Sequence, residues 1–174
     1  MRRILLITLT LVLSITTSMA GKKAQVKAAD QDTSSWRYEV SQINIAKQGC
    51  LLLEVWSYSK TPSIAAAQAC KNAIHAVIYK GVPAGGSNTT NHKPLVNTLD
   101  VAPDKAAFLS EFFQTGGAYM SYVALTSNGV AGKTSVLKVS KKEYKVGVTV
   151  EVNEHQLRSA LESKGIIRGL SSGF

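Results

Sequence analysis

The sequence predicts an α+β domain in which an antiparallel sheet of four to five strands carries two to three helices mainly on one face. Residues 144–152 alternate apolar residues, four of them valines, with polar residues and one glycine, the pattern of a strand with one covered face. Residues 61–80 follow two strand-like runs and are typical of a helix. We expect residues 36–174 to form a single domain, because domains of about 100 to 150 residues are the commonest.

The first 20 residues are typical of a secretory signal. Two arginines precede an apolar run over residues 4–13, and small residues follow up to Ala20. An uncleaved anchor is the alternative, but the run is shorter than the roughly 20 residues that span a bilayer. We therefore expect residues 1–20 to be removed, residues 21–35 to form a flexible leader, and the mature chain to have no transmembrane segment. The expected location is the periplasm or the extracellular space.

The chain is basic, with a formal net charge of +9. A basic exported protein meets anionic lipid, acidic glycan or acidic protein before it meets nucleic acid, so we expect no nucleic-acid partner. The basic residues are spread along the chain, and such a distribution is also what solubility alone requires.

Residues 36–46 and 50–59 are rich in β-branched and aromatic residues, and Gly49 lies between them, which predicts a hairpin. In the second strand Glu54 shares a face with Trp56 and Tyr58. The aromatic pair is a candidate binding surface, and the carboxylate beside it is a candidate acid in a pocket. The alternative is that all three lie on an ordinary solvated sheet face.

The helix over residues 61–80 has consistent end signals: Thr61 as cap, Pro62 at the first position, and Gly81 past the end. Its periodicity predicts that one arc faces the sheet and another faces solvent. The predicted sheet-facing arc comprises Ala67, Cys70, Ile74, Val77 and Ile78. The predicted solvent-facing arc comprises Gln68, Asn72, His75 and Tyr79. Cys70 and His75 then diverge, which excludes a nucleophile with its base and favours a packing helix.

Two cysteines in an exported protein often form a disulfide. Here Cys50 opens the second strand while Cys70 lies in the returning helix, which places them about 15 Å apart along the axis. A disulfide needs Cα atoms within about 7 Å. We expect Cys50 and Cys70 to be free thiols.

Residues 81–103 form a long segment with many turn-forming residues, and such segments are either functional or disordered. His92 in this segment is a candidate binding residue together with Trp56 and Tyr58. None of the three histidines has a second ligand at metal-binding spacing, so we expect no metal site and no cofactor.

Residues 104–117 predict a second helix in which Phe108 packs on Phe112, and residues 118–125 predict a strand. Residues 133–152 predict a hairpin that turns at residues 141–143. The lysines expected to cluster at its tip are Lys138, Lys141, Lys142 and Lys145. Lys141 and Lys142 are candidates for contact with an anionic surface, and the alternative is a solvated tip that protects the sheet edge.

A last helix is predicted from Asn153, which can cap it with Gln156 in a capping box, to Gly165. Leu157 and Leu161 should pack inward. The apolar residues of the tail, from Ile166 to Phe174, should pack on the body or on a partner.

A resemblance to known proteins covers residues 36–169 and depends on two stretches. These are an alanine-rich helix after a hairpin, "AAAQACKNAIHAVIYKG", and a strand leading into a leucine helix, "YKVGVTVEVNEHQLRSALESKGI". They resemble the N-terminal domain of the flagellar outer-ring T protein, small bacterial lipoproteins related to it, and uncharacterised exported proteins of Gram-negative envelopes. No cysteine lies near residue 20, so a lipid anchor is not expected. The resemblance implies an envelope assembly or accessory module without catalysis.

The expected function is therefore a non-catalytic module of the cell envelope that binds a protein partner. A periplasmic protein that binds a small molecule or glycan is the alternative, and a hydrolase comes third.

Overall fold

The computed structural model describes residues 36–96, 103–114, 116–126 and 135–169. The predicted signal and leader, residues 1–35, lie outside the described residues. Within the described ranges the strands are β1 (Tyr38–Ile45), β2 (Cys50–Ser59), β3 (Val123–Leu125), β4 (Ser135–Ser140) and β5 (Glu143–Asn153). The helices are α1 (Pro62–His75), α2 (Pro103–Phe112) and α3 (Glu154–Ser163), with a π-helical turn at Ala76–Lys80 and a 3₁₀ helix at Ala118–Tyr122. None of these helices has the length and apolarity needed to cross a membrane.

The five strands form one open antiparallel sheet, which confirms the predicted α+β class. β2 pairs with β1 on one side and with β5 on the other. Both β3 and β4 pair with the remaining side of β5, each with a different part of it. β5 is thus the central strand of the sheet.

The two faces of the sheet differ sharply along β2, where buried and half-buried residues alternate over the whole strand. Leu53, Val55 and Ser57 are buried on the face that α1 covers, which we call the inner face. Glu54, Trp56 and Tyr58 lie on the opposite, outer face, as the alternation predicts.

The predicted orientation of α1 is wrong. Gln68 and Asn72, expected in solvent, are only 2% and 1% exposed, whereas Ala67, expected to face the sheet, is exposed. The reason is a polar contact across the core: the Asn72 Nδ2 donates a hydrogen bond to Ser57 Oγ on the inner face of β2, at 2.8 Å. Small side chains complete the contact and allow a close approach to the sheet. They are Ala65, Ala69 and Ala73.

The C-terminal part of this helical segment is buried on several sides. Ile74, Val77 and Ile78 are at most 3% exposed, although they point away from the arc that Asn72 defines. Their cover includes the following segment, in which the amides of Leu95 and Val96 donate to the carbonyls of Val77 and Ile78. The helix is therefore a central element with no broad wet face at this end.

Backbone hydrogen bonds connect residues 82–96 to one another and to β1. Val82 and His92 exchange backbone hydrogen bonds at 2.8 Å, and Gln42 in β1 bonds to Pro83 and Gly85 on the same segment. This part of the predicted long loop is thus tied to the fold by backbone hydrogen bonds, while most of its residues are exposed. Residues 97–102 lie outside the described residues.

Phe108 and Phe112 pack together in α2 with ring centroids 5.9 Å apart, as predicted. The predicted strand over residues 118–125 is mostly wrong, because only Val123–Leu125 are extended. The preceding residues form a 3₁₀ helix, which places Tyr119 and Tyr122 on one side. Tyr119 stacks on Phe113 and Tyr122 on Phe112, and these aromatic contacts favour the helical turn.

The β4–β5 hairpin turns at residues 141–142, close to the predicted position. α3 begins as predicted, with the Asn153 Oδ1 accepting a hydrogen bond from the Gln156 amide at 3.0 Å. Leu157 and Leu161 are fully buried. Residues 170–174, the last part of the predicted packing tail, lie outside the described residues.

Candidate interaction surface

Trp56 lies against the backbone of the neighbouring strand on the outer face. Its register partner on β5 is Gly147, and a Cβ atom at that position would lie 2.9 Å from three atoms of the indole ring. Glycine therefore makes room for the ring, which lies over the strand. The aromatic side chain is held in place by a contact that no other residue at position 147 permits without movement.

Tyr58 and Lys145 meet at Glu39 beside this ring. The Tyr58 hydroxyl donates to Glu39 Oε1 at 2.6 Å, and Lys145 Nζ donates to both carboxylate oxygens at 2.8 Å. The hydrogen bond from Lys145, followed by the one from Tyr58, lowers the pKa of Glu39. The same contact with Glu39 raises the pKa of Lys145. Lys145 also lies 5.2 Å from the centroid of the Trp56 ring.

The position of Lys145 corrects one expectation. It was expected among the lysines of the hairpin tip, but its ammonium group pairs with Glu39 of β1 across the intervening strand β2. Beyond it, Arg37 donates to both oxygens of Glu143 at 2.6 and 3.1 Å and lies 4.4 Å from the centroid of the Tyr58 ring. The charges at this end of the outer face are thus largely paired with one another.

Lys141 and Lys142 occupy the β4–β5 turn and are exposed, as is Lys138 in β4. Among the described residues, no ion pair involves any of the three. They form a small group of positive charge at the end of the hairpin, unpaired within the part of the chain that the structure describes.

The edge of the sheet formed by β3 and β4 carries the exposed apolar side chains. Five large apolar residues in the described chain are about half exposed, between 48% and 53%, and all come from this edge or the turn before it. They are Met120, Leu125, Val136, Leu137 and Val139. Sequence reasoning missed this surface. The available signal was that β4 places apolar residues at adjacent positions, Val136 and Leu137, and so on both of its faces.

His92 does not belong to the surface that carries Trp56 and Tyr58. Its Nδ1 lies 3.6 Å from Glu154 Oε2 at the start of α3. That helix follows Asn153, the partner of Cys50 at the opposite end of β2 from Tyr58. Six residues of strand, about 20 Å, separate Cys50 from Trp56. The predicted grouping of His92 with the aromatic pair is therefore corrected.

His75 is not on a wet helix face, contrary to prediction. Its ring stacks on Trp36 with centroids 3.6 Å apart, and its Nδ1 is 2.7 Å from the Tyr38 hydroxyl. Burial, with a smaller effect of the Lys80 charge, lowers the pKa of His75 to about 4. Burial also raises the pKa of Tyr38. The pair is therefore neutral near pH 7 and packs as part of an aromatic cluster that sequence reasoning did not find.

The sheet separates Glu54 from this histidine. Glu54 lies on the outer face between Ser41 and Thr149, whereas His75 belongs to α1 and contacts Tyr38, which pairs with the inner-face residue Ser57. A carboxylate and an imidazole on opposite faces cannot exchange a proton directly. In the described part of the chain, no group of three or more His, Cys, Asp or Glu side chains lies in a position to hold a metal ion.

Both cysteines carry free thiols and are partly buried. Burial raises the pKa of Cys70 to about 11. The pKa of Cys50 is also raised, first by burial and then by a hydrogen bond with Glu151. Neither thiol has the lowered pKa that marks a reactive cysteine.

An open cleft of about 610 Å³ lies elsewhere in the fold. Its lining consists of Leu95, Val96, Lys105, Gly165, Ile166, Ile167 and Arg168. The predicted binding residues are absent from this lining.

Comparison with known proteins gives no match to any family model, curated protein or solved structure.

Proposed function

We propose that this protein is a non-catalytic binding module of the cell envelope that acts through contact with another protein. The observation that carries the proposal is the concentration of half-exposed apolar side chains on the β3–β4 edge, three of them in β4. Exposed apolar edge strands are costly to keep in solution, and a bound partner removes that cost. The signal-like pattern of residues 1–20 supports placing the contact outside the cytoplasm.

The placement of the reactive side chains supports binding over hydrolysis. Glu54 and His75 are on opposite faces, His92 is at the far end of the sheet, and burial raises the pKa of Cys70. Activated nucleophiles need a base within hydrogen-bond reach, and this geometry gives none of these four groups such a partnership with another.

Binding of a small molecule or glycan is a second candidate, favoured by one observation. Trp56 lies over Gly147 with Tyr58 in the same row, and charged groups that hydrogen-bond well, Glu39 and Lys145, border the rings. Flat aromatic surfaces with polar neighbours suit sugar rings and other small amphipathic ligands.

The two candidates are distinguished with full-length protein and two variants, Leu137→Thr on the β3–β4 edge and Trp56→Ala on the outer face. The first candidate predicts a protein recovered from envelope extract in stoichiometric amount. This protein rebinds when purified, and the Leu137→Thr variant loses it. The second predicts no such protein and an increase in melting temperature with a glycan or metabolite, lost in Trp56→Ala. Turnover of any substrate by the purified protein would contradict both.

A further inference from the structure

β3 and β4 behave as one edge strand that is interrupted in sequence. β3 pairs with β5 from Val152 to Val150, and the Thr126 amide continues to the carbonyl of Thr149 at 3.4 Å. β4 resumes the pairing with Ser135 opposite Gly147. Both strands are antiparallel to β5, so they run in the same direction along it. In the described residues, no other strand pairs with the remaining side of β3 or β4.

In the described chain, β4 is about half exposed on both of its faces. Val136 is opposite Val146 on the inner face, and Leu137 is opposite Lys145 on the outer face. Yet the two side chains are 48% and 52% exposed. The rest of the described chain leaves about half of each side chain open to solvent. A strand added beside β4 would therefore find an apolar side chain to pack on at each face.

The charged residues near this edge indicate the sign of the charge that its partner carries. Lys138, Lys141 and Lys142 are exposed without an ion pair among the described residues. The nearby carboxylates are occupied, Glu143 by Arg37 and Glu39 by Lys145. Carboxylates of an incoming segment could thus form ion pairs with three exposed ammonium groups at one end of the edge.

We propose that β4 accepts an extended segment of an acidic partner protein as a sixth strand of the sheet. The segment alternates apolar residues, which lie on the outer face beside Leu137, with carboxylates, which lie on the inner face beside Lys138 and near the lysines of the turn. This inference rests on the proposed function and names its surface and the chemistry of its partner. A second copy of the chain is the less suitable occupant, because its own β4 carries Lys138 and no carboxylate.

Protection of the edge from association does not account for these features. Lys138 and the irregular pairing between Lys138 and Ser140 are devices that blunt an edge strand. Protection from association, however, does not require three half-exposed apolar side chains in a six-residue strand. Lys138 and the irregular pairing limit which strand can pair with β4, and they favour a strand whose charge is opposite to that of the lysines.

The test uses three synthetic ten-residue peptides with the full-length protein. The first alternates valine and threonine with aspartate and glutamate, the second has lysine at each acidic position, and the third is the acidic peptide with every backbone amide N-methylated. We expect the acidic peptide to bind and to shift the amide resonances of β4. We expect binding at least tenfold weaker for the lysine peptide, and none for the methylated peptide, which cannot complete the ladder.

Variants of the protein locate the contact. Val136→Thr combined with Leu137→Thr keeps strand propensity and should weaken binding of the acidic peptide at least tenfold. Lys141→Glu with Lys142→Glu changes only exposed turn residues and should weaken it similarly. Lys47→Glu with Lys93→Glu makes the same change in net charge at two exposed lysines remote from β4; it is the matched control and should leave binding unchanged.

The inference is overturned if the acidic peptide fails to bind, if it binds no better than the lysine peptide, or if sedimentation shows a dimer that the β4 variant abolishes. If the Leu137→Thr variant loses a recovered protein partner but the acidic peptide does not bind, this inference is overturned and the proposed function is left in place. If the acidic peptide does not bind and no partner protein is recovered, both this inference and the proposed function are contradicted.

Discussion

Gly147 and Trp56 illustrate how one contact on the outer face constrains a residue. Alanine at position 147 would favour the strand by about 0.5–1 kcal/mol through its lower backbone entropy. Its Cβ would also lie 2.9 Å from the indole ring, and overpacking typically costs about 1–3 kcal/mol. The steric cost is the larger of the two effects.

We therefore predict that Gly147→Ala lowers the free energy of unfolding by about 1–2 kcal/mol and changes the fluorescence of Trp56. Urea denaturation followed by circular dichroism and tryptophan emission measures both. Thr149→Ala, at the next outer-facing position of β5, should leave the emission unchanged. An equally stable Gly147→Ala protein with unaltered emission would show that the ring does not lie over the strand.

His75 makes stability depend on pH in the acid range. Its pKa is about 4 in the folded protein against 6.5 ordinarily, because burial and Lys80 disfavour the imidazolium. Between these values the unfolded chain binds more protons, so stability is fully present above pH 6.5 and is lost as pH falls toward 4. The loss amounts to up to about 2 kcal/mol, since the ring is only partly buried.

The expected outcome is that the free energy of unfolding falls between pH 6.5 and pH 4.5 and that His75→Phe removes most of this slope. Phenylalanine keeps an aromatic ring against Trp36 and cannot titrate. His92→Gln serves as the control and should retain the slope. Identical pH profiles for wild type and His75→Phe would place the dependence on other groups.

At the scale of the element, α1 shows how a helix can present small and polar residues to a sheet. Ala69 is fully buried while Ala67, two residues earlier, is exposed. Leucine and alanine have similar helix propensities, so the same substitution at the two positions isolates packing.

Ala69→Leu should destabilise the protein by about 1–3 kcal/mol, because the added atoms have no space between α1 and the sheet. Ala67→Leu should change stability by no more than about 0.5 kcal/mol. Thermal or urea unfolding of both variants gives the comparison. A larger loss of stability in Ala67→Leu than in Ala69→Leu would support the orientation of α1 that periodicity alone predicts.

The same helix marks where sequence reasoning stops. Both hairpins, the Phe108–Phe112 contact and the Asn153 cap were predicted, because each depends on residues close in sequence. The orientation of α1 was not, since Asn72 is buried only because Ser57, on another element, receives its hydrogen bond. The periodicity of the helix contains no information about that hydroxyl.

The candidate surface was predictable in part for a similar reason. Glu54, Trp56 and Tyr58 were assigned to one face by strand alternation, which is a local rule. The pairing of Lys145 with Glu39 and the burial of His75 beneath Trp36 depend on which strands are neighbours. The exposed edge likewise follows from the order of the strands, and sequence distance does not reveal that order.

For the whole molecule, the thiols provide a test of global folding. Cys70 is partly buried, with its pKa raised to about 11 by burial, and the pKa of Cys50 is raised as well. Thiolate is the reactive form, so both should be alkylated slowly at pH 8 while the protein is folded.

We predict that iodoacetamide adds to both cysteines rapidly in 8 M urea without any reductant, and at least tenfold more slowly in the native protein. Mass spectrometry counts the adducts on each peptide. Protein recovered from the exported fraction should give the same count. A requirement for reductant would show that Cys50 and Cys70 are oxidised in that compartment.

The collinear arrangement of β3 and β4 has a practical consequence for changes in chain length. Thr126 and Ser135 meet β5 at Thr149 and Gly147, two positions and so about 7 Å apart, although eight residues of sequence separate them. A link of a single residue is long enough to join these two positions, so the pairing of Thr126 and Ser135 with β5 does not itself fix the length of chain between them.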